Sequence, residues 1–306
     1  MKAMTNQPVQ ARGPLVQVHL VRVSEAFPSG PPGDAMAPHE SLAPLLQFVD
    51  DESRNAVAKF RFLRDARRTL LGRLLTRHVT CSRLREDWGS LAFDRPDRGR
   101  PTLRRASQGS GFDFNVSHDH DLVALASVCS EPPVSVSVGI DVMKVQNPWP
   151  GTSVPELIEG LAEQSLHPLE LAELRALGSE SEQLDRILAL WTLKEAYVKA
   201  TGQGLHFDLR RLSISCSFCR VEPVSRSNEP LLRDIRARVD DRDLEEWRFQ
   251  LQSVRLPDED APYWLAVAIH LPEASGSARD SLAAEVAAPI EFVQLRDVLA
   301  HAEPLP

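Results

Sequence analysis

Cysteine is scarce in this chain of 306 residues: Cys81, Cys129, Cys216 and Cys219 are too few and too scattered for a disulfide framework. No apolar run approaches the roughly 18 residues that a membrane span requires. The polar stretch after Met1 lacks the apolar core of a signal peptide. A basic excess is missing too. The 35 basic residues against 43 acidic ones leave a net charge of −8, which excludes the broad basic footprint of a general nucleic-acid binder. No internal repeat marks a solenoid or propeller. With 42% hydrophobic and 25% charged residues, the chain reads as a reduced, cytosolic, globular protein of one large or two small domains.

What is present reads as interleaved strands and helices. Residues 15–23 alternate apolar and polar positions, a strand pattern, and residues 28–38 form a proline- and glycine-rich loop. The pattern over 51–80 is helical, and 94–111 is a basic, glycine-bearing loop. The runs 112–116 and 122–128 read as a hairpin or a strand–helix pair. Over 134–142, Val134, Val136, Val138 and Ile140 share one face and Ser135, Ser137, Gly139 and Asp141 the other, a half-buried strand. Helices are expected at 154–177 and 182–200, and strands at 212–218, 248–254 and 264–270. The resulting division is a tail (1–13), an N-terminal lobe (14–133), a C-terminal lobe (134–272), and a linker with a segment docking back (273–306). The order suggests two α+β lobes of similar make.

Several groups could carry chemistry. Leu184, Leu188, Trp191, Glu195 and Val198 fall on one helical stripe, which sets Glu195 in an apolar face where a bare carboxylate is costly. It is either a salt-bridged rim residue paired with Lys199 four positions on, or a metal ligand or general base. Asp141 closes a strand and is either a turn cap or a cleft carboxylate. In the stretch 115–121, Ser117 and His118 could meet a phosphate, while His118, His120 and Asp121 allow a metal-hydrolase reading. Arg54, Lys59, Arg61, Arg64, Arg67, Arg68, Arg73 and Arg77 are interrupted by one acid, Asp65. That is either a solvated face or a site for a multiply phosphorylated ligand. Arg98-Gly99-Arg100-Pro101 could add to it. Cys216-x-x-Cys219, with no second pair, reads as two half-buried thiols rather than a zinc site.

Taken in order, DARRTLLGRLLTR (65–77), RGRP (98–101), FNVSHD (114–119), VGIDV (138–142) and WTLKEAYVK (191–199) resemble the larger, two-lobed class of 4′-phosphopantetheinyl transferases, the holo-acyl-carrier-protein synthase type. The resemblance implies an α+β fold of two pseudo-symmetric lobes, each with a small antiparallel sheet and a long helix. It implies transfer of phosphopantetheine from coenzyme A to a serine of acyl, peptidyl or aminoadipate-reductase carrier proteins, with release of 3′,5′-ADP. It also implies a monomer without nucleic-acid or membrane partners. Asp141 and Glu195 would hold Mg2+, with Glu195 and Lys199 catalytic. Lys194 and Lys199 would contact phosphates, and Ser117, His118, Arg100 and Thr69 the nucleotide. Arg54, Lys59, Arg64 and Arg67 are the candidates for the 3′-phosphate. Some members carry a second acid where Met143 stands, and basic residues where Ser53 and Ala56 stand. Asp119, in the turn after His118, is therefore expected as a third acidic metal contact. A non-catalytic coenzyme A or carrier-binding module is the remaining alternative.

Overall fold

The computed structural model describes residues 15–28, 39–94, 100–104, 111–130, 133, 135–216, 235–271 and 289–305. The first half runs β1 (Leu15–Arg22), α1 (Val23–Ala26), α2 (Ala43–Leu46), α3 (Asp51–Ala58), α4 (Leu63–Leu84), β2 (Phe93–Asp94), β3 (Thr102–Leu103), β4 (Phe112–Asp119) and β5 (Leu122–Cys129). The second runs β6 (Ser137–Lys144), α5 (Val154–Ala162), α6 (Pro168–Arg175), α7 (Glu180–Thr201), β7 (Leu212–Cys216), β8 (Ile235–Val239), β9 (Arg242–Asp243), β10 (Trp247–Val254) and β11 (Tyr263–His270). The chain then returns as β12 (Ile290–Phe292) and α8 (Leu295–Val298).

Two small sheets organise these elements, in the orders β12-β1-β5-β4 and β10-β11-β6. Their strands alternate, so each sheet has two apolar faces to cover. One pair of faces shares a core: Val16, Val18 and Leu20 of β1, Ala124 and Ala126 of β5, Val138 and Ile140 of β6, and Leu265 and Val267 of β11. The opposite face of the first sheet, through Val123 and Leu125, packs under Leu63, Leu70 and Leu74 of α4. That of the second, through Trp264, Ala266 and Ala268, packs under Leu188, Leu193 and Ala196 of α7. Each long helix has 22 residues, and the result is the α+β arrangement of two similar lobes. One detail departs from two antiparallel sheets. β12 pairs parallel with β1, because it comes from beyond the second lobe and arrives from that side.

The expected helix over 51–80 is broken. Phe62 is extended at φ −105° and ψ 138°, and the Arg61 and Arg64 guanidinium groups lie 5.4 and 4.7 Å from its ring centroid. The expected helix over 154–177 also divides, before Pro168, which lacks the N–H a continuing helix needs. His167 and Glu170 form a capping box there. The runs around 112–128 form a hairpin, turning at His120 with φ 44°. The strand expected over 134–142 is β6, shifted to 137–144, and it is buried on both faces rather than half-buried: Val138 and Ile140 face the shared core while Gly139 and Asp141 lie under α7; Val134, Cys219, most of the 28–38 loop and Arg98-Gly99 lie outside the described residues. Strands β8 and β9 were not foreseen: their Arg- and Asp-rich sequences hide the alternation. No described helix is long and apolar enough to cross a membrane.

Candidate active site

The site begins where α7 crosses β6. A Cβ on Gly139 would lie 2.0 Å from the Ala196 carbonyl oxygen and 2.9 Å from the Ala200 Cβ. Glycine and two alanines therefore let helix and strand touch backbone to backbone. Glu195 and Lys199, next to those alanines, are thereby brought over Asp141, which follows Gly139 by two and shares its face of β6. The Lys199 Nζ donates to Asp141 Oδ1 at 2.6 Å and to the Ser117 Oγ at 2.8 Å. The Ser117 hydroxyl donates to the same Asp141 oxygen at 2.8 Å. Three elements, β4, β6 and α7, meet at these atoms.

Lys199 thus pairs with Asp141 rather than with Glu195. No hydrogen bond or ion pair to the Glu195 carboxylate occurs among the described residues. Its pKa is raised, by burial first and then by the Asp141 charge, against the pull of Lys199. The expected apolar stripe is wider than foreseen. α7 is buried on most sides, and Trp191 and Glu195 sit half-buried at the edge of its covered surface.

Two carboxylates whose charges repel, offering hard oxygens, are the donor chemistry of a site for a hard divalent cation. A cation there would relieve the strain on Glu195, so the residues fit magnesium. No described group of three or more His, Cys, Asp or Glu side chains could hold a metal. Asp119 is accordingly not gathered as a third ligand. Its Oδ2 accepts from the Lys144 N–H at 2.7 Å and its Oδ1 faces His120 Nδ1 at 3.0 Å, because the hairpin turn carries it past Asp141 toward the end of β6.

Other expectations need correcting. Lys194, adjacent in sequence to Glu195, projects to another side of the helix and is 1% exposed. Its Nζ donates to the carbonyls of Ser165, Leu209 and Leu212 and pairs with Glu170 Oε2 at 2.7 Å. It braces the lobe and cannot reach a phosphate. Arg54 donates to the carbonyls of Leu46 and Leu305 and pairs with Asp51, holding the C-terminal segment. Arg100 spans the Ala200 carbonyl at the end of α7, Asp113 and the Phe114 carbonyl. Of the basic cluster, Arg77 is internal, bonded to the Trp88 and Leu91 carbonyls and to Asp50. Arg67 is different: it is 8% exposed and lies 5.0 Å from the Phe27 ring centroid. Burial lowers its pKa, and no acid opposes that effect. Lys59 and Arg64 are exposed and Thr69 is half-buried. His118 keeps surface open to solvent. Its pKa is lowered, by the surrounding protein and then by the Arg68 and Lys199 charges.

The hydrolase reading loses its geometry. Asp121 is turned away, accepting from the Ser24 N–H and hydroxyl at 2.7 Å each and from Arg22 at 3.2 Å. Its neighbour His120 faces Gln146.

Two α+β lobes thus meet at two acids and a lysine, groups whose chemistry suits an anionic ligand and a hard cation. Comparison with known proteins agrees. Residues 37–130 match the family described as 4′-phosphopantetheinyl transferase, N-terminal, and residues 137–267 match the 4′-phosphopantetheinyl transferase superfamily. The L-aminoadipate-semialdehyde dehydrogenase-phosphopantetheinyl transferases of Mus musculus and Homo sapiens are each 31% identical over 232 residues, covering 75% of this chain and 70% of theirs. The 4′-phosphopantetheinyl transferase psf-1 of Bacillus pumilus is 32% identical over 178 residues, 58% of this chain and 68% of its own. The chain belongs to the 4′-phosphopantetheinyl transferase superfamily and is a transferase of that type.

Proposed function

We propose that the protein transfers 4′-phosphopantetheine from coenzyme A to a serine of apo carrier proteins, with Mg2+ held by Asp141 and Glu195. The observation that carries this is the junction itself: Asp141, Ser117 and Lys199 within hydrogen-bond reach of one another, with the raised Glu195 carboxyl beside them.

The carrier serine oxygen bonds to the β-phosphorus as the bond to the α-phosphate oxygen breaks, and 3′,5′-ADP departs. Glu195, the carboxylate beside Asp141, takes the serine proton as general base. The Lys199 ammonium lies against the charge that develops on the phosphates. Bound magnesium would add electrostatic stabilisation of the pyrophosphate. Arg67, whose guanidinium meets no acid among the described residues, and the exposed Arg64 and Lys59 are assigned to the 3′-phosphate, with His118 and Thr69 toward the nucleotide. Both lobes contribute to the junction from one chain, so the working unit is a monomer, and its reduced cysteines Cys81, Cys129 and Cys216 suit a reducing cytosol. Carrier domains of fatty-acid, polyketide, peptide-synthetase and aminoadipate-reductase enzymes are the candidate acceptors, the last by likeness to the mammalian relatives.

The test is incubation with coenzyme A, magnesium and an apo carrier, read as the phosphopantetheine mass increment on the carrier. Wild-type protein should modify it, and Asp141→Ala and Glu195→Ala should not. Near-normal turnover by both variants would overturn the assignment.

A further inference from the structure

The two sheets each end on an edge strand at the lobe junction, β4 on one side and β6 on the other. An edge strand leaves every second N–H without a partner in its own sheet, and a buried orphan N–H is costly. Here the backbones do not pair. Instead, alternate side chains of β4 reach across. Asp113 Oδ2 accepts from the Val138 N–H at 2.8 Å, Asn115 Oδ1 from the Ile140 N–H at 3.1 Å, and Asp119 Oδ2 from the Lys144 N–H at 2.7 Å. Every bond joins residues 25 apart in sequence, so the strands run in the same direction in one strict register. The remaining member of the row, Ser117, bonds the Asp141 side chain instead.

We infer that Asp113, Asn115 and Asp119 are positioning residues that register β6 against β4 and thereby hold Asp141 beside Ser117 and Lys199. This rests on the reading that Asp141 serves the reaction. The chemistry explains why acceptors stand at these positions: an N–H row asks for acceptors, and Asp and Asn oxygens supply them, whereas leucine or lysine would not. Period two keeps the row on one face of β4. A slip by one residue would present Phe114 and Val116 to the N–H row, so the register has no near neighbour of similar energy. Asp113 is itself held by Arg100, which also donates to the Phe114 carbonyl and to the α7 carbonyl of Ala200. The seam therefore ties all three elements of the site.

Asp119 gives the deciding test, because a ligand to a cation needs its charge while a seam acceptor needs only an oxygen. Backbone amide exchange and steady-state transfer would be measured on wild type, Asp119→Asn and Asp119→Ala. For Asp119→Asn, protection at Lys144 and kcat should stay within about twofold of wild type, with an unshifted magnesium dependence. For Asp119→Ala, the Lys144 amide should exchange about tenfold faster, the loss of one hydrogen bond, and kcat should fall more than KM for coenzyme A rises. An asparagine variant that exchanges fast at Lys144, or needs much more magnesium, would overturn the inference. So would an alanine variant with unchanged exchange. Exchange needs no turnover. A wild-type protein protected at Lys144 but unable to modify any carrier would count against the proposed function and leave the seam standing.

Discussion

Gly139→Ala is the sharpest perturbation of the site, because it adds one methyl where the structure has no room. The added Cβ would sit 2.0 Å from the Ala196 carbonyl oxygen and 2.5 Å from the Ala200 N. Ordinary van der Waals contact begins near 3.4 Å, so helix and strand must separate by about 1.4 Å to reach it. Both obstructing atoms are backbone atoms in the last turns of α7, and no rotamer change can clear them. Overpacking of a tight core costs about 1–3 kcal/mol, so the fold should survive with a lower melting temperature. Catalysis should suffer more. Glu195 and Lys199 ride on the helix being pushed, and a misplacement of about 1 Å can cost about a hundredfold in rate. The assay is kcat for carrier modification beside thermal unfolding of the same preparation. Gly160→Ala is the control, since nothing lies within 4 Å of a Cβ at that helical position. It should leave kcat unchanged and be neutral or slightly stabilising. A folded Gly139→Ala enzyme with wild-type kcat would refute the view that close approach of α7 and β6 builds the site.

Lys194→Met should destabilise the protein by about 3–5 kcal/mol in chemical denaturation, because it strands the Glu170 carboxylate in the core; Glu170→Gln in that background should restore part of the loss, since Gln keeps an oxygen for the Ile214 N–H. Glu195→Gln should abolish transfer yet stabilise the metal-free fold at neutral pH. A carboxyl with a raised folded pKa opposes folding once it ionises, so the gain is full above that raised value and vanishes below the ordinary value of 4.5. Melting curves at pH 4 and pH 7 check the sign. Arg85 caps α4 at φ 55°, a conformation that costs a side chain, so Arg85→Gly should gain about 0.5–1 kcal/mol. If Arg67 and its neighbours read the 3′-phosphate, dephospho-coenzyme A should show a clearly higher KM than coenzyme A, and Arg67→Ala should erase the difference.

The amino-acid order alone carried the two-lobed α+β architecture, because strand alternation and helical spacing are local signals that survive folding. It also marked the acids Asp141 and Glu195, since an acid breaking an apolar alternation or set on an apolar helical stripe is conspicuous without coordinates, although β6 runs on to Lys144 and Asp141 lies within the strand rather than closing it. The acceptor row Asp113, Asn115, Ser117 and Asp119 was not read from the sequence, where 112–116 counts as an apolar run and 117–121 as a polar turn, while the structure carries one strand through Asp119. The partners of the row were hidden too, for backbone N–H groups leave no trace in sequence. Direction and depth were decided only by the tertiary structure. Neighbours in a helix point about 100° apart, so Lys194 goes to a buried brace with Glu170 while Glu195 faces Asp141. In the same way, Arg54 and Arg77 are spent on carbonyls inside the first lobe, whereas Arg67 meets no acid among the described residues. Charge can be counted along a chain, but which charges are already answered depends on segments far apart in sequence, and only folding brings those together.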